Sequence, residues 1–291
     1  MLRTTATLRP IEVSSDPPNA AICHIARLPN LSDASVKFSN LNLRTASPDT
    51  IFPSLRTLET RVDGEGGWKH LLEDTVNLES IVLYSSIPLH PEEVVDLFGF
   101  FTNKGFHRAI HWLSLATPKP CDLTPHILIP LHNFKSLTRL SVTSPCDLVQ
   151  CNSQLTDGAL AQLAEALPQL VELFRDVSCG SPARGLTLAG LRPLSIDCVH
   201  LETLQVHFSA LDIPSDIPED ALTKSSDQPP LSPNHCRLFL LVVGARSPLI
   251  VAYFLHQMFP RLSKVLRTVN DSPWKEVQEH IDVFQRYRPK Q

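Results

Sequence analysis

Glycine is scarce in this chain: 10 among 291 residues, against 25 prolines. Few positions are free to take left-handed backbone, and the prolines punctuate the chain into many short elements joined by stiff turns rather than one large sheet. An excess of basic charge is also missing. The formal charge is −4 and the basic residues are scattered, which excludes the basic stripe of a nucleic-acid binder. Long apolar runs are absent as well. The first residues are interrupted by Arg3, Arg9, Glu12, Asp16, Pro17 and Pro18, so no secretory h-region is read there. The most apolar stretch, LFLLVVGARSPLIVAYFLHQMF over 238–259, is cut by Gly244, Arg246 and Pro248. Neither part approaches the roughly 20 residues that span a bilayer. A strand followed by a helix is expected instead, and no membrane partner. The 7 cysteines are odd in number and irregularly spaced. Without a signal peptide they are expected to be reduced thiols in a cytoplasmic or nuclear protein.

Catalytic signatures are missing too. There is no Gly-x-Ser-x-Gly. GEGG at 64–67 lacks both the strand-to-helix context and the Lys-Ser/Thr of a phosphate cradle, and reads as a turn. His107 and His111 have i, i+4 spacing, but no Glu stands between them as in His-Glu-x-x-His and no third ligand is close. They read as surface or turn histidines. Cys146 and Cys151 have ligand-like spacing but no second pair follows, so a small buried hydrophobe at a turn is the reading. No enzyme activity, cofactor or metal is expected.

What the chain does have is leucine at regular places. In LTDGALAQLAEALPQLVEL (155–173), Leu160, Leu163, Ala164 and Leu167 fall at i, i+3, i+4 and i+7, one face of a helix. Thr156 and Asp157 suit its N-terminus and Pro168 ends it. An apolar run of different period follows. That cadence recurs in LPNLSDASV, FPSLRTLET, VNLESIVLY, RAIHWLSLA, KSLTRLSVT, VHLETLQVH, CRLFLLVVG and FPRLSKVLR. The leading apolar residues are Leu31, Leu55, Leu78, Ile110, Leu137, Leu170, Leu201, Leu238 and Leu262, at a mean interval of about 29. Helices are expected between the phrases, at 91–105 and 272–287 most clearly, and at 68–76, 123–134, 185–194 and 249–259. The helix over 272–287 places Trp274, Val277, Ile281 and Phe284 on one face. Strand, turn, helix, turn is a unit that cannot bury its own apolar face, so neighbours must stack.

The stretch Cys151 to Leu173, a Cys ahead of Leu-Thr-Asp, a short helix and then Leu-Pro-x-Leu, resembles the cysteine-containing leucine-rich repeats of F-box/leucine-rich-repeat proteins. Leu167 stands where that family usually has its second Cys, and one extra residue separates Cys151 from Leu155. The ending, from CRLFLLVVGARSP to SPWKEVQEHIDVFQRYR, is similar to the final repeat and closing helix of the fungal members. The resemblance implies an irregular α/β leucine-rich-repeat solenoid with a concave face lined by parallel strands and helices on the convex side. It also implies a function in recognising the substrate of a ubiquitin ligase. No F-box is read ahead of Leu28. A truncated chain, a lost module, or a repeat protein that never carried one would each account for this, and a divergent F-box would add a cullin-ligase adaptor as partner. The alternative is a stand-alone scaffold or regulator, for example of a small GTPase.

The expected layout is a tail or partial cap over 1–26, the solenoid over 27–270 and a capping helix over 271–291. A proline-rich insertion over 209–235 would be a solvated loop, or a docking segment with Ser225, Ser226 or Ser232 as phosphorylation sites. Strand alternation exposes Asp33, Ser35 and Lys37; Thr57, Glu59 and Arg61; Ser80, Val82 and Tyr84; Trp112 and Ser114; Arg139, Ser141 and Thr143; Glu172, Phe174 and Asp176; and Thr203, Gln205 and His207. Among these, Arg61, Tyr84, Trp112, Arg139, Phe174 and His207 are the candidate protein-binding residues, rich in the types that dominate interfaces.

Overall fold

The computed structural model describes residues 28, 31–36, 54–62, 72, 75, 77–85, 87–118, 125–143, 155–174, 186–210, 237–245, 247–266 and 272–287. The tail over 1–26, GEGG, most of the 68–76 helix, Lys37, Cys146, Cys151, Asp176, the three serines and the insertion beyond Ala210 lie outside them.

Among the described residues, nine strands form one all-parallel sheet in which each strand pairs with the next in the chain, and the sheet is not closed into a barrel. They are β1 (Asp33–Val36), β2 (Thr57–Val62), β3 (Ser80–Ser85), β4 (Trp112–Ala116), β5 (Arg139–Thr143), β6 (Glu172–Phe174), β7 (Thr203–Ala210), β8 (Arg237–Ala245) and β9 (Lys264–Leu266). Parallel neighbours need a crossover, and helices supply most of those described. These are α1 (Pro91–Asn103), α2 (Pro125–Leu128), α3 (Asp157–Ala166), α4 (Leu191–Asp197), α5 (Pro248–Met258) and α6 (Ser272–Arg286).

The register aligns the repeats row by row. Ala34, Leu58, Ile81, Leu113, Leu140, Leu173 and Leu204 stand side by side, and so do Thr60, Leu83, Leu115 and Val142. The leucine row, Leu83, Leu115 and Val142 join the helix residues in one continuous core. Two residues ahead of the strands, Leu31, Leu55, Leu78, Ile110, Leu137, Leu170, Leu201 and Leu262 are buried in the same core. The repeated phrase therefore marks a spatial layer, because a residue at a fixed offset from a strand start returns to the same depth in every unit. Leu238 is the exception. Arg237 pairs with Thr203, so Leu238 stands beside Leu204, three residues past the position of Leu201. The equivalent of Leu201 is His235, outside the described residues; the apolar run of β8 hid the offset.

Local chemistry sets the helix ends. Pro91 opens α1, the His90 N–H donates to Glu93 Oε2 at 2.7 Å, and Gly105 at φ +80° stops the chain from continuing. Val94, Leu97, Phe98 and Phe101 form its buried face. Thr156 caps α3 by accepting from the Ala159 N–H at 3.2 Å. Pro130 and the 3-10 turn Ile129–Asn133 shorten the helix expected over 123–134 to α2. The expected helix at 185–194 is a 3-10 turn, Leu188–Gly190, followed by α4.

At the last strand, α6 buries Trp274, Val277 and Ile281. Phe284 stacks on His256 of α5 with ring centroids 5.4 Å apart. Gln278 Oε1 accepts from the Val265 N–H of β9 at 2.7 Å, and Gln285 Nε2 donates to the Leu262 carbonyl. These two side chains take up backbone groups at the edge of the sheet, where unpaired ones would template association. No described helix is long and apolar enough to cross a membrane.

Candidate protein-interaction surface

Parallel sheets usually bury both faces and read as continuous apolar runs. Here β2, β4, β5 and β6 alternate instead, while β3 is buried at every position but Tyr84. One alternate set fills the core; the other forms a second face whose residues align in three rows. The first is Asp33, Thr57, Ser80, Trp112, Arg139, Glu172 and Thr203. The second includes Glu59, Val82, Ser114, Ser141, Phe174 and Gln205, and the third Arg61, Tyr84, Ala116 and Thr143.

The first row joins three of its members into a unit. The Arg139 guanidinium carbon lies 5.9 Å from the centre of the Trp112 ring, within cation–π range. On its other side, Arg139 Nε is 3.5 Å from Glu172 Oε2. Between indole and carboxylate the guanidinium is held while the Arg139 side chain stays 48% exposed. Trp112 is 37% and Tyr84 42% exposed. The Tyr84 hydroxyl is raised above its ordinary pKa, first by burial, then by the charge of Glu59 and by a side-chain hydrogen bond to it.

No family model matches this chain, and no curated protein is significantly similar to it.

Of the residues expected to bind, Trp112 and Arg139 are brought into contact across β4 and β5. Arg61 on β2 and Tyr84 on β3 stand directly side by side in the register, and Phe174 is half-buried beside Ser141. His207 lies on β7 in register with Leu241, and its side chain is outside those described. Ser80 and Val82 were expected to be exposed but are buried, at 4% and 8%. Val82 is not part of the helix-side core, so it is covered on the strand face itself. Short side chains in mid-sheet, ranked beside larger Trp112 and Glu59, lose access that alternation alone would grant. The Ser80 Oγ is buried without a hydrogen-bond partner among the described residues. Among those residues, no three His, Cys, Asp or Glu side chains form a group able to hold a metal ion.

Cys198 is a residue that the sequence reading passed over. Cys198-Val-His-Leu201 repeats the spacing of Leu167-Pro-Gln-Leu170, and that spacing was the available signal. Cys198 is fully buried, and its thiol points to the Leu167 and Ala164 carbonyls at 3.5 and 3.8 Å, at the end of α3. Burial, and secondarily the charge of Asp197, pushes it from an ordinary 9.0 up to about 12. The folded chain thus keeps this proton at pH values where the unfolded chain has lost it. Its stabilising contribution is complete below about pH 9 and is lost as pH rises toward 12. Denaturant titrations at pH 8 and pH 10 are expected to show a smaller loss of stability for Cys198→Ala than for the unaltered chain. Equal losses would place the thiol in a less apolar setting.

Proposed function

We propose that this chain is an irregular leucine-rich-repeat solenoid whose strand-lined face, concave in such folds, recognises another protein without catalysing a reaction. The sequential parallel sheet and the buried leucine layer support the repeat reading. The burial of Cys198 in the place where cysteine-containing repeats carry their second Cys supports the likeness to the substrate-binding part of F-box/leucine-rich-repeat proteins. One observation carries the recognition reading: the Trp112–Arg139–Glu172 unit. It is an oriented aromatic and guanidinium group on a face that the helical core does not use, and Trp and Arg are the side chains on which interfaces most depend.

The test is affinity purification from the native cells. The double substitution Trp112→Ala with Arg139→Ala is expected to lose the partners recovered by the unaltered chain, with thermal stability nearly unchanged. A large drop in melting temperature would make the pair structural. Partners retained in full would move recognition elsewhere. Among the proteins recovered, a ubiquitin-ligase adaptor and cullin would connect this recognition to ubiquitin transfer.

A further inference from the structure

We infer that the same face binds an extended protein segment carrying two acidic side chains about six residues apart, one at Arg139 and one at Arg61; the inference rests on the recognition reading above. Of the carboxylates on this face, Glu172 is paired with Arg139 Nε and Glu59 with the Tyr84 hydroxyl, and Asp33 stands on β1, away from the path between the two arginines. Glu172 engages Arg139 through Nε, which leaves the two terminal nitrogens, the pair that grips a carboxylate end-on, for a ligand. Arg61 is exposed and meets no carboxylate among the described residues. The guanidinium nitrogens open to a ligand therefore sit at two opposite corners of the face.

The register gives the distance between the corners. Arg139 is in the first row on β5 and Arg61 in the third row on β2, since Arg61 aligns with Tyr84, Ala116 and Thr143. Three strand spacings of about 4.8 Å and four residues of about 3.3 Å make a diagonal of about 19 Å. An extended chain covers that in about six residues. The path between them is also shaped. It crosses the small side chains of Ser114 and Val82, with Trp112 on one flank and Tyr84 on the other. Ligand atoms that suit Arg61 and Arg139 together are acceptors, which an acidic segment supplies and a basic one does not.

The experiment uses fluorescein-labelled peptides of about twelve residues, long enough to cross the diagonal in extended form. Two glutamates are separated by five Gly, Ser or Val positions, and binding to the full chain is followed by anisotropy. Expected is binding at least about tenfold tighter than for the Gln-for-Glu peptide, as charge-assisted hydrogen bonds imply. The same margin is expected over a peptide with the two glutamates adjacent, which non-specific attraction would bind equally well. Arg61→Glu is expected to remove the advantage, and one of the two peptides with a single Lys in place of Glu to restore it. Arg139→Gln should cost about as much as Arg61→Gln, because each ends one charge-assisted contact. Indifference to acid or spacing overturns the inference, as does preference for lysine peptides, which would assign the face to Glu59 and Glu172. If the Trp112 and Arg139 double substitution loses cellular partners while acidic peptides show no advantage, the recognition reading stands and this inference alone fails.

Discussion

Leu163→Ala is expected to lower the free energy of unfolding by about 2–5 kcal/mol, the range for buried leucines truncated in well-packed cores. Leu163 lies on α3, 2% exposed, with Leu160 and Ala164 buried on the same face. The helix packs against α4 on one side and the 129–133 turn on the other. Repeats on both sides are fixed by their own strands, so neither neighbour can collapse freely into the void, and the upper half of the range is favoured. Gln162→Ala, one residue away on the exposed side of α3, should change stability by no more than about 0.5 kcal/mol. Urea titration of both chains checks the pair. Comparable effects at the two positions would mean that α3 is rotated from the orientation described.

A second large effect is expected where two repeats are clasped. Asp157, the first residue of α3, reaches 30 residues forward: its carboxylate accepts from the Thr187 N–H at 2.8 Å and the Thr187 hydroxyl at 2.6 Å. Thr187 Oγ1 in turn accepts from the Ala189 N–H at 3.1 Å. Gly190 passes so close to this carboxylate that a Cβ there would lie 2.2 Å from Oδ1 and 2.7 Å from Cγ of Asp157. The φ of Gly190 is an ordinary −63°, so space and not backbone conformation requires glycine. Gly190→Ala must turn the carboxylate away and break its two bonds, at a cost of about 1.5–3 kcal/mol for hydrogen bonds to a charged group. In an Asp157→Ala background the same substitution should cost much less, since the bonds and the 2.2 and 2.7 Å clashes are gone and only the Cβ of residue 157 remains, 3.2 Å away. This non-additivity, read by a double-mutant cycle, is the signature of the clasp. Additive costs would show that Gly190 is constrained by something other than Asp157.

The repeat was legible because it is written in short-range signals. Helix caps such as Thr156, breakers such as Gly105 and the leading apolar residues each depend on a few neighbours in sequence. Eight of the nine leading residues, from Leu31 to Leu201 and Leu262, accordingly fall in one buried layer. The ninth, Leu238, was misplaced because β8, RLFLLVVGA, is apolar at both alternating sets, and only pairing with β7 fixes its register, with Leu238 beside Leu204. The candidate site was legible by residue type but not by arrangement. Alternation put Trp112 and Arg139 on the outer set, yet it ranked Ser80 and Val82 as exposed with them.

Residues 33 to 266 thus determined, through local periodicity alone, that strands and helices alternate and which side of each strand is apolar. The tertiary structure decided which residues meet. Trp112 touches Arg139, Arg139 meets Glu172, and Asp157 holds Thr187 because parallel strands settle into one register. That register is set by how the helices between them pack, and packing sums contacts among residues some 30 positions apart that no local pattern encodes.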